Sequence, residues 1–289
     1  RAAPLGLALS PGGTVYLPPV ISAYVGADIT AGLLAARLRE LDGTTLFIDI
    51  GTNGEMVLAV DGRLAATSTA AGPAFEGMNI VCGMRAAEGA VEYVRLEEDG
   101  SLAVRTIDDT TAVGICGSGL LDLVGELVRG GALSKSGRFA DPGDPKLPEA
   151  LRQRLAKREG KIVFQLTERV FLTQKDVRQV QLAKGAVRAG IEFLLKEKGV
   201  SVGALDRVFV AGSFGYHLRE ESLISLGLLP PQAAGKVSFL GNTSRTGAEM
   251  LLLNSSLRSA LEALVEDVEQ VELTARPDFD QVFVEAMGF

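Results

Sequence analysis

Glycine-rich turns with small polar side chains follow apolar segments at several points in this 289-residue chain. The clearest is DIGTNGE (49–55), in which Asp49 interrupts an otherwise apolar strand. Related turns are GICGSG (114–119), AGSFG (211–215) and GN (241–242). Glycine lets backbone N–H groups approach an oxyanion, and helix N-termini add positive partial charge. Several such turns around one cleft predict a polyphosphate site.

The carboxylate of Asp49 adds a second kind of chemistry to the first turn. At the end of a central strand it can hold Mg²⁺, directly or through water, while the turn amides bind phosphates. A carboxylate buried there without a cation would be costly. The alternative is an ordinary tight hairpin whose Asp49 points to solvent. The spacing fits neither a P-loop nor the GxGxxG dinucleotide turn.

The elements around this turn are predicted from strand alternation and from Asn-Gly and Asp-Gly pairs. Strands are expected at Thr45–Ile50, Glu55–Val60 and Leu64–Ser68, with turns at Asn53-Gly54 and Asp61-Gly62. This pattern predicts an antiparallel three-strand meander. Strands and helices alternate farther along the chain, which predicts a layered α/β fold.

Apolar spacing and helix-stop signals predict the main helices. One is expected over residues 19–40, after two prolines, and another over Thr173–Lys198. The GICGSG turn leads into an apolar helix that stops at Gly130-Gly131, and a last long helix is expected over Thr243–Asp267. The region 135–162 is polar, and within it DPGDPKLPEA (141–150) is predicted as a surface loop.

Composition excludes several classes of function. The net charge of −7 and the lack of a basic run argue against a nucleic-acid partner. Two separated cysteines, Cys82 and Cys116, supply neither a disulfide framework nor a four-cysteine iron–sulfur site, so a reducing cytoplasm is expected. The early apolar stretch contains Asp28 and two prolines, which makes it a poor membrane span.

Several ordered blocks carry a resemblance to a known family. DIGTNGE and FVAGSFG look like the phosphate and adenosine motifs of the actin, sugar-kinase and chaperone-ATPase superfamily. More narrowly, the chain from Val15 onward resembles the C-terminal ATPase region of the reductive activators of corrinoid proteins, least clearly at 135–165. The blocks that carry this resemblance are LPPVISAYVGADITAGLLA, IDIGTNGE, AAGPAFEGMNI, GICGSGLLD, TQKDVRQVQLAKGAV, VFVAGSFG and FLGNTSRTGAE.

The resemblance implies an α/β, actin-like (ribonuclease H-like) ATPase fold with a three-strand antiparallel meander and flanking helices. It assigns Asp49 to Mg²⁺, directly or through water, and gives Glu55 the orientation of the attacking water. A place for Glu55 on a solvated face stays open. The phosphate contacts are assigned to the turn residues Gly51, Thr52, Asn53 and Gly54.

The remaining turns receive nucleotide contacts by the same resemblance. Phosphate or ribose contacts are assigned to Gly72, Gly117, Ser118 and Gly119, with helix capping as the alternative. Adenosine contacts are assigned to Gly212, Ser213 and Gly215, together with Lys184 on the preceding helix. A solvated Lys184 is the alternative reading, and Asn242 is either a further contact or a helix-start residue.

The activity implied is cytoplasmic, ATP-driven, one-electron reduction of Co(II) to Co(I) in a corrinoid partner protein of a methyl-transfer system. Such activators are typically dimeric and receive electrons through an N-terminal 2Fe–2S domain. Residues 1–289 are therefore expected to be the ATPase region, without an N-terminal part that holds this cluster and the first phosphate motif.

Three other functions remain open from the residues. A small-molecule kinase of the same superfamily would need a catalytic base, for which only Glu55 and Asp176 are candidates. An activator of radical acyl-CoA dehydratases would bridge a 4Fe–4S cluster with two cysteines from each subunit. A nucleotide-sensing module would bind ATP without turnover.

Overall fold

The computed structural model describes residues 6, 8, 10, 13–212 and 218–289. Its strands are β1 (Thr44–Ile50), β2 (Gly54–Val60), β3 (Arg63–Thr69), β4 (Ala90–Leu96), β5 (Leu102–Thr106), β6 (Gly114–Ile115), β7 (Leu155–Arg158), β8 (Lys161–Gln165), β9 (Phe171–Thr173), β10 (Arg207–Ala211), β11 (Val237–Gly241) and β12 (Glu269–Gln270). Its helices are α1 (Ala27–Ala35), α2 (Gly117–Arg129), α3 (Glu149–Arg152), α4 (Gln174–Glu197), α5 (Glu220–Ser225), α6 (Thr243–Leu253), α7 (Ser256–Glu266) and α8 (Phe279–Ala286). No described helix is both long and apolar enough to cross a bilayer.

The central sheet has the strand order β11-β10-β1-β2-β3-β12. Strands β1, β2 and β3 form the predicted antiparallel meander, while β10 and β11 run parallel to β1. Side chains alternate between two cores: Leu46 and Ile48 face one, and Phe47 faces the other. Helix α4 packs against β2 and β3, and Ile29 and Leu33 of α1 lie in the core with Phe47. The predicted layered α/β arrangement is confirmed.

The two turns of the meander differ. Asp61 and Gly62 both have positive φ (47° and 75°), as the predicted two-residue turn requires. The first turn is not the predicted Asn-Gly turn, because Gly54 already belongs to β2 and pairs with Ile50. The loop therefore consists of residues 51–53.

Two predicted helices have different limits in the structure. The first begins at Ala27 rather than near residue 19, because the Ser22 hydroxyl accepts from the backbone N–H groups of Tyr24 and Val25 and holds a turn. The helix predicted over 243–267 is two helices, since Asn254 is extended and its side chain accepts from Ser256. The predicted helix at Thr173–Lys198 is confirmed as α4, capped by Thr173 and Asp176.

Two small sheets lie outside the predicted elements. The sheet β5-β4-β6 packs against α2 through β4. The sheet β7-β8-β9 follows the predicted surface loop at 141–150 and leads directly into α4. Strands β5, β7 and β9 of these sheets are short and partly exposed, so their apolar alternation is weak.

Candidate functional site

The ends of β1 and β10 bring Asp49 and Gly212 together. Asp49 pairs in register with Ala211 of β10 and with Glu55 of β2. A Cβ atom at Gly212 would lie 2.8 Å from the Ile50 carbonyl oxygen and 3.3 Å from Asp49 Oδ1, and the φ of Gly212 is +113°. Only glycine fits this position without strain. The turn after β1, predicted to bind phosphate, therefore lies next to the start of the turn after β10, predicted to bind adenosine.

The loop after β11 meets the same strand ends. The Gly212 N–H donates to the Gly241 carbonyl oxygen at 3.1 Å. Asn242 follows and caps α6, accepting from the Arg245 N–H at 2.9 Å. The Asn242 side chain therefore caps the start of α6, which is one of the two roles predicted for it. Ser213 and Gly215 lie outside the described residues.

A third carboxylate, that of Asp28 on α1, acts on Asp49 and Glu55. Burial, followed by repulsion from Asp28, raises the pKa of Asp49 to about 6. Burial, then Asp28 and Asp49, raises the pKa of Glu55 to about 7, although a hydrogen bond from the Asn53 side chain opposes this rise. The three carboxylates repel one another, so a cation between them would be stabilised.

The donor set suits a hydrated Mg²⁺ ion. Magnesium prefers oxygen ligands, retains several waters and is held by only one or two carboxylates beside substrate phosphates. Among the described residues, no group of three or more His, Cys, Asp or Glu side chains is arranged to hold a metal ion. One carboxylate with waters is a sufficient protein contribution for Mg²⁺, so both modes expected for Asp49, direct and through water, fit this arrangement.

The 51–53 loop is tied to Gly72 and Glu76. The Thr52 hydroxyl donates to Glu76 Oε1 at 2.5 Å, and the Thr52 carbonyl oxygen accepts from the Gly72 N–H at 2.8 Å. The Gly51 N–H donates to the Asn53 carbonyl oxygen at 2.9 Å, which tightens the loop. The space beside the Gly72 Cα is empty. Gly72 therefore lies beside the loop with room for a ligand.

A cavity of about 300 Å³ opens next to this loop. Asn53 lies in its wall, together with Thr69 of β3, Tyr24 and Thr274. The cavity therefore leaves open space beside Asn53, one of the residues predicted to contact phosphate.

Other predicted contacts serve packing in the described structure. A Cβ atom at Gly54 would lie 2.7 Å from Val187 of α4, and one at Gly119 would lie 2.1 Å from the Val91 carbonyl oxygen. Gly117 and Ser118 are buried in the first turn of α2, where the Ser118 hydroxyl lies 3.5 Å from Cys116 Sγ. These glycines allow close approach of a helix to a strand.

Lys184 is not solvated, in contrast to the alternative reading. Its side chain is 1% exposed, and its ammonium group donates to the Gly288 carbonyl oxygen and lies 5.5 Å from the Phe289 ring centroid. Burial, followed by repulsion from Arg188, lowers the pKa of Lys184 to about 8. Asp176, the other base considered, is fully buried in the cap of α4 and accepts from the Val81 N–H. It is thus not placed as a base.

Asp28 is the site residue that sequence reasoning did not assign. In the sequence, Asp28 is visible only as a charge that breaks an apolar stretch. The same signal that identified Asp49, an acidic residue interrupting an apolar segment, also marked Asp28. Only the packing of α1 on the sheet shows that both belong to one cluster.

Two family models match the chain. The model described as the C-terminal domain of RACo, the ASKHA domain, matches residues 43–289, and that of the RACo middle region matches residues 1–41. ASKHA denotes the actin, sugar-kinase and chaperone-ATPase superfamily. The expected actin-like fold is confirmed.

Individual proteins match over nearly the whole chain. Corrinoid activation enzyme RamQ of Eubacterium limosum is 33% identical over 287 residues, covering 96% of this chain and 48% of that protein. The [Co(II) methylated amine-specific corrinoid protein] reductase of Methanosarcina barkeri is 30% identical over 278 residues, covering 89% and 47%. The solved structure of a reductive activator for corrinoid, iron–sulfur protein has a TM-score of 0.87 and 36% identity, covering 100% and 46%. This chain spans about half the length of the curated relatives it matches.

Proposed function

The chain belongs to the RACo family of reductive activators of corrinoid proteins, and from this premise we propose that it is the ATP-binding region of such an activator. Binding and hydrolysis of ATP would drive a conformational change that permits one-electron reduction of Co(II) to Co(I) in a corrinoid partner protein. The observation that carries the proposal is the junction of Asp49, Gly212 and the 51–53 loop at the strand ends.

Each part of this junction has a role in the proposal. The 51–53 loop and Gly72 contact the phosphates, and the Gly212 turn approaches the nucleoside. Asp49 holds Mg²⁺ directly or through water, and the negative charges of Asp28 and Glu55 add to its attraction for the ion. When bound, Mg²⁺ supplies neutralisation of the charge that develops on the transferred phosphoryl group. Glu55 is placed on the Asp49 face of the meander, where it can orient a water molecule.

The proposal extends to components that this chain does not supply. The electron would come from a 2Fe–2S cluster in an N-terminal domain, and the first phosphate motif of the complete activator would also lie N-terminal to this region. We propose a cytoplasmic homodimer as the working form, as the family resemblance implies.

Calorimetry with a non-hydrolysable ATP analogue and Mg²⁺ tests the site. We expect Asp49→Asn to abolish Mg²⁺-dependent binding, because the substitution removes the charge that attracts the ion, while the circular dichroism spectrum stays unchanged. Asp61→Asn is the matched control, since it makes the same change at the other turn of the same meander. Equal affinities of the Asp49→Asn variant and the wild type would place the nucleotide elsewhere.

A second assay tests the activity. Candidate corrinoid proteins in the Co(II) state are mixed with the activator, an electron donor and Mg²⁺–ATP, and formation of Co(I) is followed by its absorbance. We expect reduction to require ATP and to fail with Asp49→Asn. Reduction at the same rate without ATP would contradict the proposed coupling.

A further inference from the structure

A large groove at the N-terminus of α4 has no part in the proposed nucleotide site. Its volume is about 720 Å³, and it lies between α4 and the sheet β7-β8-β9. We call it the basic groove, after its cationic lining residues Arg158, Lys161, Lys175 and Arg178, which surround the apolar Val81 and Phe171. Glu159 is the carboxylate among its described lining residues.

The charge of the basic groove is opposite to that of the chain. Four cations and one carboxylate line it, whereas the chain as a whole carries −7. Arg158 lies 4.2 Å from the Phe171 ring centroid and donates to Gln165 Oε1. Among the described residues no carboxylate forms an ion pair with Lys161, Lys175 or Arg178, which are exposed. The groove therefore attracts an anionic ligand.

Apolar surface beside the cations shows which kind of anion fits. Val81 in the groove wall is 58% exposed, and Met78, on the same loop, is 51% exposed. A free phosphate would use the cations and leave these side chains in water. An acidic protein segment that also carries apolar side chains would cover both surfaces, as the apolar centre and polar rim of a protein interface do.

We propose that the basic groove is the docking surface for an acidic segment of the corrinoid partner protein. This inference rests on the proposed function, since it names where the partner of that activity binds. It adds a location and a recognition chemistry, with charge complementarity as its basis.

The groove is connected to the 51–53 loop by a short stretch of chain. Glu76, which accepts from the Thr52 hydroxyl, ends a 3₁₀ helix, and Val81 follows a few residues later. The Val81 N–H donates to Asp176 Oδ1 at 2.9 Å, in the cap of α4. A segment docked on Val81 therefore contacts the chain just after Glu76, the residue to which the Thr52 hydroxyl donates. We expect nucleotide and partner to change each other's affinity by the same factor.

Charge reversal in the activator tests the docking surface. The variant Lys175→Glu/Arg178→Glu removes two groove cations from exposed positions in the first turns of α4, where added carboxylates suit the helix dipole. The control Arg63→Glu/Lys146→Glu makes the same change in net charge at exposed positions outside the groove. The probe is the corrinoid protein that the Co(I) assay identifies as substrate.

We expect the groove variant to weaken binding of the corrinoid protein about tenfold, and the control variant less than about twofold. Wild-type affinity should fall between 50 and 300 mM NaCl, about fivefold or more, and the groove variant should lose most of this salt dependence. Affinity for the Mg²⁺–ATP analogue alone should be the same in all three proteins.

Three outcomes would overturn the inference. The first is equal affinity of the groove and control variants for a corrinoid protein that the wild type activates, which leaves the proposed function intact. The second is a groove variant that loses affinity for the ATP analogue or for inorganic phosphate but keeps its affinity for the corrinoid protein, which would assign the groove to a small anion. A wild-type activator that neither binds nor reduces any corrinoid protein tested overturns the proposed function and this inference together.

Discussion

The carboxyl groups of Asp49 and Glu55 lie opposite one another on neighbouring strands, and both have raised pKa values. A raised pKa means that the folded chain binds the proton more tightly than the unfolded chain does. The resulting stabilisation is complete below the unfolded pKa, which is 4.5 for Glu55, and is lost as pH rises through about 7. The site thus lowers the stability of the metal-free chain near neutral pH.

Glu55→Gln should remove much of this pH dependence. In EDTA, the free energy of unfolding of the wild type should fall between pH 5 and pH 8, and the variant should be more stable at pH 8 by about 1 kcal/mol, allowing for solvent screening. The two curves should meet near pH 4. Urea denaturation at each pH measures this, with Glu98→Gln, at an exposed position, as the control that follows the wild type. Parallel curves for Glu55→Gln and the wild type would contradict the raised pKa of Glu55 that burial and the neighbouring carboxylates cause.

At the residue scale the sequence could place Asp49 at the end of its strand but could not place Asp28 beside it. A carboxylate at the end of an apolar strand is visible in the sequence, because strand alternation fixes its surroundings. Asp28 comes close only when α1 packs on the sheet, and Lys184 is buried only because the C-terminal residues cover it. These contacts join distant parts of the chain, which a local pattern does not encode.

The packing of α6 on α1 depends on two glycines. A Cβ atom at Gly247 would lie 2.0 Å from the Ala31 carbonyl oxygen, and one at Gly32 would lie 2.8 Å from the Thr243 hydroxyl oxygen. This close approach keeps α1, and with it Asp28, against the ends of the strands. The limits of the two helices are also where the sequence prediction failed, since side-chain turns at Ser22 and Asn254 replaced helical hydrogen bonds.

Gly247→Ala should lower the free energy of unfolding by about 2–3 kcal/mol, because the added methyl group collides with backbone rather than with a flexible side chain. Gly203→Ala is the matched control, since the nearest atom to its added Cβ is 4.0 Å away. We expect that control to change stability by less than about 0.5 kcal/mol. Thermal and urea unfolding compare the two, and equal stability of both variants would show that α1 and α6 can separate at little cost.

At the scale of the whole molecule, a buried ion-pair network joins α2 and β4 to the segment that leads into α5. Arg219 donates to Asp122 Oδ1 and Glu126 Oε1, both at 3.0 Å, and to the Val94 carbonyl oxygen at 2.8 Å. The Ser222 hydroxyl also donates to Asp122, which is 1% exposed. Asp122 and Glu126 are visible in the sequence as polar residues on the apolar helix α2. The sequence does not show that Arg219 is their partner, because it is distant along the chain.

Arg219→Leu should lower the free energy of unfolding by about 3 kcal/mol, because Asp122 would keep its buried position without the guanidinium that balances its charge. Arg245→Leu is the matched control: its ion pair with Glu249 has the arginine side chain 77% exposed and should contribute less than about 1 kcal/mol. Urea denaturation measures both. Equal losses in Arg219→Leu and Arg245→Leu would contradict the prediction. Adding Asp122→Asn to Arg219→Leu tests the cause of a larger loss. Recovery of stability in the double variant would show that the buried charge, rather than lost packing, causes the loss.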